Sequence, residues 1–333
     1  MTRPLTRPPD VVPWRKAWQD ALYGPQGFYR KAAGPAGHFT TSTHGAAGRV
    51  LADALWAWAD ALGADGIVDV GAGRGELLGA LRAAAPGRPL TGVEVVPRPA
   101  AIRPDVEWLV SPGGARLPDD LAPVRALVIA HEWLDVVPCT VAAVADDGGL
   151  REVCVDVRTG EESLGGPLED ADLAWCGRFW PSATDAAARP GDRVEVGRHR
   201  DAAWDDLLGR MSGGAAIAVD YGHRVAGRPR NGSLTAYRQG VQVAPVADGS
   251  CDLTAHVAVD SLRHDELLTQ REALRRVGVS GRTPDHALAR EDPAAYLSAV
   301  GAASAATSLL DPGGFGAFWW VVAGAGRVHA RIP

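Results

Sequence analysis

A glycine-rich turn between two short apolar runs carries the first chemical signal in this sequence of 333 residues. Gly71, Gly73 and Gly75 are spaced as G-x-G-x-G, and glycine lets the backbone approach a bound molecule where a side chain would collide. Asp69 stands before the first glycine, and Glu94 ends the next apolar run, nineteen residues after Gly75. A carboxylate at that distance is typical of one that binds the two hydroxyls of a ribose. The pattern predicts a nucleoside-binding unit whose ligand contacts these five residues.

The residue after the third glycine indicates which nucleoside is bound. A dinucleotide site follows G-x-G-x-x-G and places a pyrophosphate at the helix N-terminus. Here Glu76 occupies the third small position and would compete with a phosphate. A ligand with adenine and ribose but no phosphate fits better, which points to S-adenosylmethionine (SAM), whose ammonium Asp69 can meet. Two alternatives remain open: a generic glycine turn in another α/β protein, and an NAD-dependent oxidoreductase, which needs a phosphate beside Glu76.

Four further candidate catalytic side chains follow later apolar runs. Glu132 and Asp135 come after residues 126–130, and carboxylates three positions apart can share one face of a turn. Asp220 follows residues 215–219, and His256 ends the segment that begins at residue 252. Carboxylates can bind a cationic methyl acceptor and take its proton, while a histidine titrates near neutral pH. Purely structural roles also remain open: a helix cap, a surface acid, a strand-end turn and a core histidine.

Strands alternate with helices along the chain, and polar residues follow the carboxyl ends of the strands. This order predicts an α/β fold with a Rossmann-like doubly wound sheet and its site at the carboxyl edge. We expect an N-terminal helical extension, an inserted β-hairpin at 140–157 with an irregular cap at 160–200, and a helix over 264–277. The predicted division is an N-terminal extension, 1–45, that contributes to the cofactor cleft, and a SAM-methyltransferase domain, 46–333, with an insertion at about 140–200. Thr41 and Ser42 of the extension are candidates to line the cofactor cavity with their hydroxyls.

Composition excludes several classes of protein. The net charge of −6 does not predict a nucleic-acid-binding surface. The four cysteines are scattered without a C-x-x-C pair, so we expect neither structural disulfides nor a metal site. The N-terminus lacks a signal-peptide pattern and no stretch reaches transmembrane length, so we expect a cytoplasmic protein without a membrane partner.

Short motifs spread along the chain resemble, in order, those of the MidA-like family of SAM-dependent methyltransferases, which includes a mitochondrial complex I assembly methyltransferase. The glycine turn resembles the family's SAM-binding loop, and residues 130–138, AHEWLDVVP, resemble A-N-E-F-F-D-A-L-P. Three later segments are similar to the family's D-Y-G, G-T-L-R-A-Y and D-I-T-A-H-V: residues 220–222, 232–237 and 252–257.

The resemblance implies a SAM-dependent methyltransferase that acts on a protein arginine, with Glu132 and Asp135 binding the acceptor. We assign His131, where the family usually has Asn, to the cofactor site. His38, His44 and Thr235 replace the family's Asp, Glu and Arg, so two expected carboxylates are missing. This leaves two further alternatives: a small-molecule methyltransferase, and a non-catalytic assembly factor or scaffold that retains the SAM fold. The partner is then a protein or small-molecule acceptor, and a homodimer remains open.

Overall fold

The computed structural model describes residues 11–31, 42–43, 45–121 and 123–324. Within these ranges the strands are β1 Val11–Pro13, β2 Ile67–Val70, β3 Leu90–Glu94, β4 Glu107–Val110, β5 Val124–His131, β6 Thr140–Val144, β7 Leu150–Asp156, β8 Glu162–Pro167, β9 Arg193–Val196, β10 Met211–Asp220, β11 Gly222–His223, β12 Thr235–Arg238, β13 Val241–Val243, β14 Asp252–Thr254, β15 Val257–Ala258, β16 Glu266–Thr269 and β17 Trp319–Gly324. The α-helices are α1 Trp14–Tyr23, α2 Gly45–Ala61, α3 Glu76–Ala84, α4 Asp170–Phe179, α5 Arg198–Gly209, α6 Gln270–Arg276, α7 His286–Glu291 and α8 Pro293–Leu309. None of these helices is long and apolar enough to span a membrane.

The central sheet has seven strands in the order β16-β17-β10-β5-β2-β3-β4. Strands β10, β5, β2, β3 and β4 run parallel, while β17 is antiparallel to both of its neighbours. The chain moves outward from β2 to β4 and then returns to the other side of β2 as β5. The order therefore reverses between β2 and β5, which is where open α/β sheets bind their ligands. This arrangement confirms the predicted doubly wound α/β fold.

The register of the parallel strands places the candidate site residues at one edge. Val70 of β2 lies opposite Ala130 of β5, and His131 lies opposite Val219 of β10. The carboxyl ends of the three strands are therefore level, and the segments that follow them emerge side by side. Helices cover both faces of the sheet, with the tryptophans Trp58 and Trp320 in contact on one face and Trp204 fully buried on the other.

The predicted insertion region folds as a second, antiparallel sheet. Strands β6 and β7 pair as the expected hairpin, and β1 and β9 extend the sheet on either side. The prediction of an irregular cap at 160–200 was wrong, because this region contains β8, α4 and β9. Its aromatic residues Trp175 and Trp180 are buried against these elements, which a search for uninterrupted apolar runs does not detect.

The single helix predicted over 264–277 is in fact a strand followed by a helix. Leu267 and Leu268 pair with β17 as the edge strand β16 of the central sheet. Helix α6 begins only after Thr269, whose side chain forms a reciprocal capping box with Glu272. A leucine pair suits either an amphipathic helix or a short strand, so the local pattern alone was ambiguous.

Candidate functional site

One cavity of about 960 Å³ opens at the carboxyl edge of the parallel strands. Its first part, here called the cofactor half, is lined by the glycine turn after β2 and by residues that follow β3 and β4. Its second part, the acceptor half, is lined by polar side chains, namely Tyr29, Glu132, Asp135, Tyr221, Asp252, Thr254 and His256. The two halves form a continuous space, as a reaction between two ligands requires.

The glycine turn has the backbone shape that its sequence predicts. Gly71, Gly73 and Gly75 have φ angles of +79°, +57° and +83°, which residues with a Cβ rarely adopt. Gly71 and Gly73 line the cavity, as predicted for cofactor contacts. Gly75 does not line it: this residue precedes α3, and a Cβ there would lie 2.1 Å from Ile102 Cδ1. Gly75 therefore shapes the turn and leaves room for the side chain of Ile102 to pack against the backbone.

Three carboxylates, of Asp69, Glu76 and Glu94, line the cofactor half. Glu94 accepts hydrogen bonds from the backbone N–H groups of Gly73, at 2.8 Å, and Val95. Each carboxylate oxygen keeps a further lone pair, with which it can accept a ribose hydroxyl. Asp69 is buried, and its pKa is raised to about 7 by burial and then by the charges of Glu94 and Glu76. In their ionised form these carboxylates attract a ligand that carries an ammonium and a sulfonium.

The pKa of Asp69 predicts how cofactor binding depends on pH. Below pH 7 the Asp69 carboxylate takes up a proton and no longer attracts an ammonium. We expect the dissociation constant of S-adenosylhomocysteine, measured by titration calorimetry, to rise about tenfold between pH 8 and pH 6. The variant Asp69→Asn should bind S-adenosylhomocysteine weakly at both pH 8 and pH 6, with little change in the dissociation constant between them. If the dissociation constant of that variant depends on pH as strongly as that of the wild type, another group causes the pH dependence.

Glu132 stands at the start of the acceptor half in an unusual conformation. Its φ is +50°, one of two positive values among the described residues other than glycine, and its N–H donates to Val219 O at 2.8 Å. Strain of this kind in a residue with a side chain is concentrated at functional sites. Burial, followed by the charges of Asp135 and Asp252, raises the pKa of Glu132 to about 8. Its Oε1 is buried and makes no hydrogen bond to the described residues, although Nδ1 of His131 lies 3.4 Å away.

Asp135 is the second carboxylate of the acceptor half. Its Oδ2 accepts hydrogen bonds from Thr254 Oγ1, at 2.6 Å, and from the Tyr221 hydroxyl. Its Oδ1 is buried without a partner in the described part of the chain. Burial raises the pKa of Asp135, although the two hydroxyls favour the ionised form. The side chain is therefore held by one oxygen, while the other makes no hydrogen bond to the described residues.

Asp252 is a third buried carboxylate in this half of the cavity. It accepts a hydrogen bond from the Tyr29 hydroxyl at 2.6 Å, and burial raises its pKa to about 8. Sequence reasoning did not assign these two residues, or Thr254, to the site. The available signal for Asp252 and Thr254 is the resemblance of residues 252–257 to the motif D-I-T-A-H-V.

Asp220 has a different position from the one expected of a catalytic residue. It is buried and does not line the cavity. Its Oδ2 accepts hydrogen bonds from the N–H groups of Leu134 and Asp135, each at 3.1 Å. Asp220 therefore holds the turn that carries Glu132 and Asp135 and acts on the site through them.

The residues predicted at the cofactor from the N-terminal segment are only partly described. Thr41 lies outside the described residues. Ser42 is buried away from the cavity, and its Oγ lies 2.8 Å from Nε2 of His131. His131 does line the cavity, and burial lowers its pKa to about 4, so its imidazole is neutral at pH 7. Thr43, which the sequence did not single out, also lines the cavity.

His256 lies at an exposed position on the acceptor half. Its ring is 5.3 Å from the ring of Tyr221, measured between centroids. Loss of solvation against these neighbours lowers the pKa of His256, so the ring is neutral at pH 7 and can accept a proton. The structure thus brings Glu132, Asp135 and His256 together in one cavity, with Asp220 behind them.

Comparison with known proteins agrees with this geometry. A family model described as "Putative S-adenosyl-L-methionine-dependent methyltransferase" matches residues 94–276, more than half of the chain. One crystal structure, from Burkholderia thailandensis, is of a "COG1565 superfamily member and likely methyl transferase" bound to S-adenosylhomocysteine. It is 22% identical to this chain, with a TM-score of 0.69. A second structure from that organism, of an uncharacterised member without stated ligand, is 22% identical with a TM-score of 0.68. Each alignment covers 94% of this chain and 87% of the other. No curated protein matches the chain.

Proposed function

Since the chain belongs to this family of SAM-dependent methyltransferases, we propose that its acceptor is a cationic nitrogen group, the guanidinium of a protein arginine. The observation that carries the proposal is a pair of buried carboxylate oxygens without hydrogen-bond partners among the described residues, Glu132 Oε1 and Asp135 Oδ1. Both residues line the same cavity. An unpaired buried carboxylate oxygen is costly, and its cost is offset when a ligand supplies N–H donors.

A guanidinium has the matching chemistry. It carries five N–H donors in one plane and a permanent positive charge, and it binds carboxylates through paired hydrogen bonds. Asp252 adds a third carboxylate to the lining of the acceptor half, and the aromatic ring of Tyr221 also belongs to this lining. Without a cation, Glu132 and Asp252 are mainly protonated at pH 7, whereas a bound cation lowers their pKa values and favours the ionised form.

The reaction requires alignment and the removal of one proton. SAM, when bound, supplies an electrophilic methyl group on sulfur. Glu132 and Asp135 orient the guanidinium so that one nitrogen faces the cofactor half of the cavity, which accounts for most of the catalytic task. Methyl transfer to that nitrogen would break the methyl–sulfur bond and leave S-adenosylhomocysteine. The nitrogen would give up one proton, which Glu132 accepts in its ionised form.

We also propose that the chain is a MidA-like member of the family. The support is positional: the segments that resemble that group at 220–222, 232–237 and 252–257 contribute Tyr221, Thr235 and Asp252 to the acceptor half. Thr235 replaces an arginine of the resembling motif, so the positive charge there is absent and the wall is more acidic.

Methyl transfer from tritiated SAM to proteins of a cell lysate tests the proposal. We expect the labelled proteins, after complete acid hydrolysis, to yield methylated arginine above the background of a heat-treated sample. Glu107→Gln, an exposed acid on β4, should label as well as the wild type. Label in lysine or in a small molecule would replace the arginine assignment. Tight binding of S-adenosylhomocysteine without any label transfer would support a non-catalytic scaffold.

A further inference from the structure

Arg200 is a fully buried cation that contacts the acceptor half from behind. Its guanidinium donates to four backbone carbonyl oxygens: Asp135 O at 2.6 Å, Val137 O at 3.0 Å, Ala255 O at 3.1 Å and His256 O at 2.9 Å. These oxygens belong to two segments, residues 133–138 and 253–258, here called the acceptor loops. Among the described residues no carboxylate lies within salt-bridge distance of Arg200. The arginine therefore binds main chain from both loops at once.

The position of Arg200 in its helix indicates that this residue does not stabilise the helix itself. It is the third residue of α5, where the helix dipole disfavours a positive charge. Burial adds a desolvation cost, which the four carbonyl contacts and the ring of Trp18, 5.6 Å from the guanidinium carbon, offset. A residue that is unfavourable in its own helix is explained by what it joins outside that helix.

The loop that carries His256 is held from two sides. Arg200 binds the carbonyl oxygen of His256, and Ser233 Oγ accepts a hydrogen bond from the His256 N–H at 2.9 Å. Glu195 in turn accepts hydrogen bonds from the N–H and hydroxyl of Ser233. The other loop is tied to this one directly, through Ala255 N–H and Asp135 O at 3.2 Å. The Tyr221 hydroxyl joins the side chains of the two loops, since it contacts both Asp135 and Thr254. Arg200 joins the backbones of the two loops.

We propose that Arg200 is a positioning residue, which joins the two acceptor loops through their carbonyl oxygens and thereby fixes the relative positions of Asp135 and His256. Its relevance to catalysis rests on the proposed function, but its effect on the loops does not. Lysine at this position keeps the charge but lacks the planar fork, so it cannot reach all four oxygens. Glutamine loses the charge and keeps two donors. The two variants therefore separate geometry from charge.

Hydrogen exchange followed by mass spectrometry measures the geometric effect without any methyl acceptor. In Arg200→Lys we expect the amides of residues 133–137 and 253–258 to exchange about tenfold faster than in the wild type, with β2 and β5 unchanged. Arg82→Lys is the matched control: Arg82 is also buried and donates to two carbonyl oxygens, of Arg88 and Asp105, away from the cavity. It should leave the acceptor loops unaffected.

Nuclear magnetic resonance of protein labelled at histidine Cε1 measures the electrostatic effect. The charged and titratable groups that face His256 are Glu195, Asp135, Arg200, Tyr221 and His223. Arg200 disfavours the imidazolium, so Arg200→Gln should move the titration of His256 to higher pH while Arg200→Lys leaves it in place. The His256 signal is identified by its loss in His256→Asn.

Two results would overturn the inference. Unchanged exchange of both loops in folded Arg200→Lys and Arg200→Gln would mean that Arg200 does not hold them. If the amides of the central sheet exchange faster to the same extent as those of the acceptor loops, Arg200 stabilises the whole fold and does not specifically position the loops. Neither result depends on an acceptor, so failure of the proposed arginine methylation would be seen separately, as absent label transfer with normal loop protection.

Discussion

Glu132→Gln is expected to lower the rate of methyl transfer about a thousandfold while changing the affinity for S-adenosylhomocysteine less than threefold. In the proposed reaction the amide cannot accept the proton that the acceptor nitrogen loses, and the substitution removes one of the carboxylate charges that bind the guanidinium. The cofactor half is unaffected, since its carboxylates are Asp69, Glu76 and Glu94. Transfer is measured with tritiated SAM and lysate proteins, and affinity by calorimetry.

The same variant should be more stable than the wild type at alkaline pH. The pKa of Glu132 rises from its ordinary 4.5 to about 8 on folding. A raised pKa means that the folded state holds the proton more tightly, so stability is lost as pH rises from about 4.5 to 8. Glutamine does not titrate, so the variant avoids this loss. We expect the melting temperature of Glu132→Gln to exceed that of the wild type by near zero at pH 5 and by about 2–5 °C at pH 8.

Two outcomes would contradict this account of Glu132. Transfer within tenfold of the wild type would remove Glu132 from the chemistry and leave Asp135 or His256 as the proton acceptor. If the difference in melting temperature between Glu132→Gln and the wild type does not vary with pH, folding does not shift the pKa of Glu132. The exposed acid variant Glu107→Gln serves as the control in both measurements.

Gly73→Val is expected to weaken binding of S-adenosylhomocysteine at least a hundredfold. Gly73 has a φ of +57°, which a β-branched residue adopts at a cost of about 1–2 kcal/mol or more. A shift of the backbone away from that strain also breaks the hydrogen bond from Gly73 N–H to Glu94 Oε2, which lies at 2.8 Å. The cofactor site would then lose both its close backbone approach and the orientation of its carboxylate. Calorimetry at pH 8 measures the effect.

Gly79→Val provides the matched control for this substitution. Gly79 lies in α3, and an added Cβ there meets no described atom within 4 Å. Valine also has a higher helix propensity than glycine, so stability should be unchanged or slightly increased. A dissociation constant for Gly73→Val within threefold of the wild-type value would show that the cofactor does not approach this turn. The assignment of the cofactor half would then fail.

Much of the cofactor half was predictable because its pieces are neighbours in sequence. Strand β2, the glycine turn, α3, β3 and Glu94 follow one another within thirty residues, and apolar periodicity with glycine spacing identifies each of them. The role of Gly75 was not predictable in the same way. Whether a glycine contacts a ligand or only makes room for Ile102 depends on a side chain that approaches from further along the chain.

The sequence by itself determined the doubly wound fold, the strand ends at which side chains gather and the acidic character of Glu132, Asp135 and Glu94. The tertiary structure alone decided how those acids differ. Thr254 reaches Asp135 across 119 positions of the chain and Tyr29 reaches Asp252 across 223, while Asp220 is enclosed behind the turn. A carboxylate's pKa and free lone pairs depend on burial and on partners in space, and chain order does not specify which distant residues become those partners.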